Sequence, residues 1–325
     1  MKAMPQEVLV TGATGFVGRA LVPALLAAGY SVRATTRKQP PRRSGRGVTW
    51  VQCDVAKKDD LARALQGVQA AFFLVHGMGA GAHQYAERER EIAKSFRVAA
   101  ADAKVERIVY LGGVAPRGNP SQHLRSRLAV GESLRGGTVP TLELRSSMIV
   151  GVGSASWQIV RDVALRLPAM LLPQWTKYRT RPLAIEDALV ALVAGLTVEL
   201  PVSAWYDIAG PDTLSGREIL ETIARVRGRR IPSVPVPLLS AGLASHGLRF
   251  VTRVDFDLAR ELVLGFTGDL LPEDDRYWDL IGTQPSRSFE DAARRALGDE
   301  RFEWSARGAV GRLEEALVQA CGARL

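Results

Sequence analysis

The sequence predicts an α/β protein: a doubly wound parallel sheet followed by a smaller C-terminal substrate lobe. Three observations lead there. Short β-rich runs alternate with helical stretches from Glu7 to Val150. A glycine-punctuated turn, Thr11-Gly12-Ala13-Thr14-Gly15-Phe16-Val17-Gly18, joins the first run to the first helix. After residue 151 the alternation loosens into a region richer in proline. Strands alternating with helices of this length make a parallel sheet covered on both faces.

Taken in order, residues 7–11 are a β-rich run that ends at the glycine turn. Phe16, Ala20, Leu21, Ala24, Leu25 and Ala28 then recur at helical spacing until Gly29. Residues 31–36 read as a second strand and 48–53 as a third, closed by Asp54. Residues 61–65 predict a helix and 70–75 a buried strand. Residues 87–103 predict a helix with Ile92, Phe96 and Ala99 on one stripe. A strand over 107–111, a helix over 121–135 stopped by Gly136-Gly137, and a strand over 141–150 complete the run. One later strand, 205–209, is expected to return to the main sheet. The division that follows is a dinucleotide-binding unit over 1–152, with a returning strand near 204–210, and a substrate lobe over 153–325.

Charge and composition narrow the function classes. The net charge is +9, and residues 33–46 carry Arg37, Lys38, Arg42, Arg43 and Arg46 without one acid. No aromatic side chain interleaves with those five cations, so a base-stacking surface is unsupported and nucleic acid is not an expected partner. Cys53 and Cys321 stand far apart, and His76, His83, His123 and His246 are scattered, so no metal-ligand cluster is expected. A reduced, cytoplasmic setting fits. Met1 to Pro5 run straight into a strand, which leaves no room for a signal peptide. The longest apolar stretch, 188–200, contains Gly195 and Glu199 and is too short to span a bilayer. Nothing in the sequence sets the oligomeric state.

The glycine turn carries the first chemistry. Gly12 takes the tight turn, Gly15 lets backbone approach a diphosphate, and Gly18 lets helix and strand pack closely, the Rossmann arrangement. With a strand before it and a helix after it, the pattern predicts a nicotinamide dinucleotide. About twenty residues on, an NAD site would place a carboxylate on the ribose; Thr35-Thr36-Arg37-Lys38 stands there instead. Two hydroxyls and two cations suit a 2′-phosphate, so NADP(H) is the expected cofactor, with Arg37 and Lys38 as its ligands. Asp54, beside Val55, can accept from the adenine amino group or cap the next turn.

On these residues the chain resembles the atypical extended short-chain dehydrogenases/reductases, in their NmrA-like and sugar-nucleotide-epimerase-like branch. The matching stretches are TGATGFVG (11–18), CDV (53–55), AAFFLVHGMG (70–79), RIVYLGGVAP (107–116), HLRSRLAVGESLR (123–135), LRSSMIVGVGSAS (144–156), RPLAIEDALVAL (181–192) and YDIAGPDTLSGREIL (206–220). The resemblance implies cofactor contacts at Gly12, Thr14, Gly15, Phe16 and Val17, and Arg37 on the 2′-phosphate. It also implies Asp54 and Val55 near adenine, and Leu74, Val75 and His76 along the ribose. Leu111, Gly112 and Gly113 would lie beneath the nicotinamide, with Ser146, Ser147, Met148 and Ile149 closing over it.

The catalytic pattern departs from that family. Its enzymes use a Tyr as general acid/base and a Lys four residues later, yet no Tyr or Lys occurs between Leu111 and Thr176. His123 and Arg127 stand at the matching places, and the expected serine is replaced by Gly112-Gly113. Four apart on a helix, His123 and Arg127 share a face. Imidazole titrates near neutrality and can pass a proton, and Arg127 can hydrogen-bond ribose hydroxyls; a positive neighbour would lower the histidine pKa. A polar helix face without chemistry is the alternative. His76 ends a buried strand on the ligand side, where a contact to substrate or cofactor is favoured over proton transfer.

In the lobe, residues 154–157, 167–175 and 238–253 are rich in apolar and aromatic groups. Such a pocket suits an apolar or aromatic carbonyl compound better than a charged sugar nucleotide, although Arg179 and Arg181 could meet a carboxylate or phosphate. Two functions are therefore expected candidates. One is an NADP(H)-dependent oxidoreductase of a carbonyl, enone or quinone-like small molecule. The other is a non-catalytic NADP(H)-binding sensor or assembly factor.

Overall fold

The computed structural model describes residues 7–41, 45–75, 82–116, 120–167, 169–229, 232–236, 240–242 and 251–300. In chain order the first half comprises β1 (Glu7–Val10), α1 (Phe16–Ala27), β2 (Ser31–Thr36), β3 (Val48–Gln52), α2 (Lys58–Leu65), β4 (Ala70–Phe73), α3 (Ala82–Asp102), β5 (Arg107–Gly113), α4 (Gln122–Arg135) and β6 (Thr141–Ser146). There follow β7 (Ile149–Val150), α5 (Ala155–Arg166), β8 (Met170–Leu172), a 3-10 turn (Gln174–Lys177), β9 (Arg179–Thr180), β10 (Leu183–Ala184), α6 (Ile185–Ala194) and β11 (Ala204–Asp207). The last elements are β12 (Leu214–Ser215), α7 (Gly216–Val226), β13 (Ser233–Pro235), α8 (Phe256–Gly265), α9 (Arg276–Leu280) and α10 (Phe289–Asp299).

The main sheet has seven strands in the order β11-β6-β5-β4-β1-β2-β3, and neighbours pair parallel throughout. The strand order reverses between β1 and β4, which opens a crevice at their carboxyl ends. Period-two alternation distributes the core. Val8, Val10, Phe72, Val109, Leu111, Leu142 and Leu144 face one layer, packed with Leu21 and Leu25 of α1 and Ala188, Ala191 and Leu192 of α6. Leu9, Ala71, Phe73, Ile108 and Tyr110 face the other, with Phe96 and Ala100 of α3 and Val130 and Leu134 of α4.

Three expectations change in detail. The strand expected over 141–150 is two strands: β6 ends at Ser146, and β7 leaves the sheet to pair with β10. The strand expected over 70–75 stops at Phe73, so Leu74 and Val75 lie beyond its end. Residues of the C-terminal half, among them Leu183, Leu196, Ile208, Tyr277 and Trp278, fill the main-sheet core. The lobe has its own core where α5, α7 and α10 meet, built from Trp157, Leu165, Ile219, Ile223, Phe289 and Ala293.

One layer of β6 breaks the apolar pattern. Glu143 is fully buried between Arg135 (2.8 Å) and Arg145 (3.0 Å), and the Arg145 guanidinium lies 4.0 Å from the Trp205 ring centroid. Gly131 makes room for this group: a Cβ there would sit 2.2 Å from the Glu143 carboxylate.

Candidate cofactor and substrate cleft

At the end of β1, Thr11 ties the crevice together. Its N–H and Oγ1 both donate to the Phe72 carbonyl of β4, at 3.0 and 2.9 Å. Gly12 follows with φ +69°, and a Cβ there would lie 2.5 Å from the Leu74 carbonyl oxygen, so conformation and space both exclude a side chain. A Cβ on Gly18 would lie 2.3 Å from the Gly12 carbonyl, because α1 packs directly on the turn. Gly15 caps α1 without a side-chain hydrogen bond, and the first turn of the helix holds no acid. The first-turn N–H groups and the positive helix end are thus left to a ligand, the arrangement that holds a dinucleotide diphosphate.

From this turn a cleft of about 1170 Å³ runs along the carboxyl ends of the strands into the lobe. That exceeds the roughly 300–1,000 Å³ of a pocket for one drug-sized ligand, leaving room for a dinucleotide and a second molecule. Gly12, Thr14, Gly15, Phe16 and Val17 line it at the turn, and Thr35, Thr36 and Arg37 at the end of β2. Asp54 and Val55 line it after β3, Leu74 and Val75 after β4, and Leu111, Gly112 and Gly113 on β5. Ser146, Ser147, Met148 and Ile149 come in from the β6–β7 corner, His123 and Arg127 from α4. Lys38 is not among the lining residues; its N–H donates to Thr36 Oγ1 at 3.2 Å. His76 lies outside the described residues. Asp54 Oδ1 accepts from the Ala56 N–H at 3.1 Å, the local cap its position also allowed.

Where β5 ends, Arg127 donates to the Leu111 carbonyl at 2.5 Å. A Cβ on Gly113 would meet its Nε at 3.3 Å, so the glycine pair standing where a serine was expected gives this guanidinium its place. Glu89 of α3 is buried in the same cleft and accepts from Ser126 Oγ at 2.5 Å. His123 is 9% exposed, and among the described residues its Nδ1 has no hydrogen-bond partner. Burial, and then the Arg127 charge, push the imidazole down to about 3. The direction is the one expected from the positive neighbour, carried further by burial, and it favours the neutral ring, a poorer acid than an unperturbed histidine. The His123 backbone N–H donates to Glu261 Oε2 of α8 at 3.3 Å.

At the lobe end the lining is apolar: Ile159, Val160, Val163, Leu220, Leu258, Leu262 and Phe266, with Trp175 and Thr180. Arg179 and Arg181 are not among the lining residues, and both have acidic partners. Arg179 pairs with Asp269 at 3.3 Å, and Arg181 is held by Asp275 at 2.9 Å and by the Gly210 carbonyl at 2.8 Å. Trp157 is fully buried in the lobe core, and most of 238–253 lies outside the described residues.

Two cleft residues escape the sequence reading. Glu89 lies three residues before Ile92 and seven before Phe96, so the α3 stripe that buries those side chains buries a carboxylate too. On α8, Leu258, Glu261, Leu262 and Gly265 repeat at helical spacing and all line the cleft. That periodicity was the available signal.

Residues 4–122 match the NmrA-like family. A UDP-glucuronic acid 4-epimerase from Bacillus cereus, in complex with NAD, superposes with a TM-score of 0.68 at 15% identity, over 89% of this chain and 96% of that one. The match covers the N-terminal part of the chain, and the superposition shows a shared fold. The chain is also similar to a ceramide reductase of Caulobacter vibrioides, 27% identical over 243 residues that cover 72% of the chain and 76% of the relative. A 3-beta-hydroxysteroid dehydrogenase of Mycolicibacterium neoaurum is 33% identical over 113 residues, 32% of the chain and 31% of the relative. Among the described residues, no helix is long and apolar enough to cross a membrane, and no group of three or more His, Cys, Asp or Glu is placed to hold a metal.

Proposed function

We propose that this chain is an NADP(H)-dependent reductase of an apolar or aromatic carbonyl compound: a ketone, an enone or a quinone-like molecule. One observation carries the reading, the division of charge along a single cleft. The dinucleotide end has Arg37 and the open N-terminus of α1. At the lobe end, Glu261 is the one charged side chain among the described lining residues. A nucleoside-diphosphate substrate would require cations there, and Arg179 and Arg181 are already paired. Relatives named for ceramide, a dihydroflavonol and a steroid point toward apolar or aromatic compounds; the epimerase shares the fold alone.

Bound there, NADPH supplies hydride chemistry. The chain supplies the rest. The glycine turn and α1 would hold the diphosphate, Thr36 and Arg37 the 2′-phosphate, and Arg127 the ribose beside the nicotinamide. The apolar lobe excludes water and orients the carbonyl. His123, neutral, can hydrogen-bond the substrate without changing charge, and substrates stabilised by their own reduction demand least from such a group.

NADPH oxidation across a panel of apolar ketones, enones, quinones and UDP-sugars tests the proposal. Turnover confined to the apolar classes is expected. Turnover of a UDP-sugar, or tight NADPH binding with no turnover of any class, would end it. The latter result supports a second reading, an NADP(H)-binding sensor or assembly factor. That reading draws on the neutral His123 and on the absence of Tyr and Lys between Leu111 and Thr176.

A further inference from the structure

Resting on that reading, we infer that Glu261 selects substrates bearing a hydrogen-bond donor, a hydroxyl or an amine, close to the reacting carbonyl. Glu261 is half-buried on the cleft side of α8, amid Leu258, Leu262 and Phe266. Among the described residues its carboxylate takes one long hydrogen bond, 3.3 Å from the His123 N–H, and makes no ion pair. A carboxylate only accepts, and one drawn partly out of water without donors is costly. Helix capping accounts for one oxygen only: at the N-terminus of α4 Ser121 Oγ accepts from the Leu124 N–H and Glu261 Oε2 from the His123 N–H, and Glu261 Oε1 has no donor among the described residues. A second observation points the same way: His123 Nδ1, on a side chain nine-tenths buried in the same cleft wall, has no partner among the described residues. Two polar groups at one end of an apolar cavity thus lack what a polar substituent would bring.

The position also fits. His123 and Arg127 are one turn apart on α4, about 6 Å along the axis, and Arg127 is bound to the end of β5, where the resemblance places the nicotinamide. A donor held by Glu261 therefore lies near the carbon that is reduced.

The test uses the full chain saturated with NADPH and four ligands of equal chain length: a hydroxy ketone, an amino ketone, the methoxy ketone and the plain ketone. Binding is read by calorimetry, and NADPH oxidation separately. The donor-bearing ligands are expected to bind roughly tenfold to a hundredfold tighter than the other two, the range for a hydrogen bond to a charged group. The hydroxy and amino arms show which donor is preferred. In Glu261→Gln, which keeps the shape and can still accept from α4, the preference shrinks several-fold; in Glu261→Leu it disappears, while the plain ketone binds at least as well. Equal binding of all four, no binding of any, or a preference that survives both substitutions would overturn the inference. A Glu261-dependent preference without any NADPH oxidation sustains it and removes the reductase reading.

Discussion

Arg37 stands at the end of β2, on the cleft wall, with Thr35 and Thr36 beside it and no carboxylate at the position that reads a ribose hydroxyl. If its guanidinium holds the 2′-phosphate, Arg37→Ala weakens NADPH binding roughly tenfold to a hundredfold and leaves NADH binding unchanged, measured by calorimetry. Equal losses for both nucleotides would move Arg37 away from that phosphate. His123 leads to a prediction about rate. Because burial holds it down at about 3, the pH profile of kcat/KM has no inflection near 6.5 from this ring. An inflection there that vanishes in His123→Gln would show that the imidazole titrates in the working enzyme.

At the scale of elements, steric fit decides what the sequence can absorb. Gly18→Ala forces a Cβ to within 2.3 Å of the Gly12 carbonyl and must lift α1 off the turn, a cost of about 1–3 kcal/mol together with lost nucleotide binding. Gly131→Ala drives a methyl into the Glu143 carboxylate and separates α4 from β6, and Glu143→Ala strands two arginines at a cost of about 3–5 kcal/mol. Urea midpoints check both; unchanged midpoints would contradict this account of the buried trio. Strand alternation and the glycine turn made the Rossmann half legible in the sequence, because period and turn chemistry are local. The trio was not legible: Glu143 and Arg145 read as polar residues in an apolar strand, and only strand neighbours and Gly131 explain them. The same limit hid Glu261, whose role depends on α8 packing against α4 far away in the chain, and it left Arg179 and Arg181 looking unpaired.

Across the whole molecule, two buried groups set opposing pH dependences of stability. His123 has a folded value of about 3 against an ordinary 6.5, so its contribution is complete above pH 6.5 and is lost as pH falls toward 3. Asp207 is 3% exposed, and burial, set against the Glu273 N–H it accepts, raises it from 3.8 to about 6. Its neutral form favours the fold below pH 4, and that contribution, on the order of 3 kcal/mol, is lost as pH rises through 6. Asp207→Asn should therefore raise the melting temperature at pH 8 and steepen the acid loss between pH 6 and 4, where the two terms otherwise oppose each other. A variant with the wild-type pH profile would contradict the raised value. The claim beneath all of this is that one cleft grips a dinucleotide at the α1 N-terminus and recognises its additional phosphate. Calorimetric titration of the folded chain with NADPH and with NADH tests it most directly. Both are expected to bind, NADPH at least about tenfold tighter, as a charge-assisted contact implies; equal affinity, or heat from neither nucleotide, would contradict this recognition.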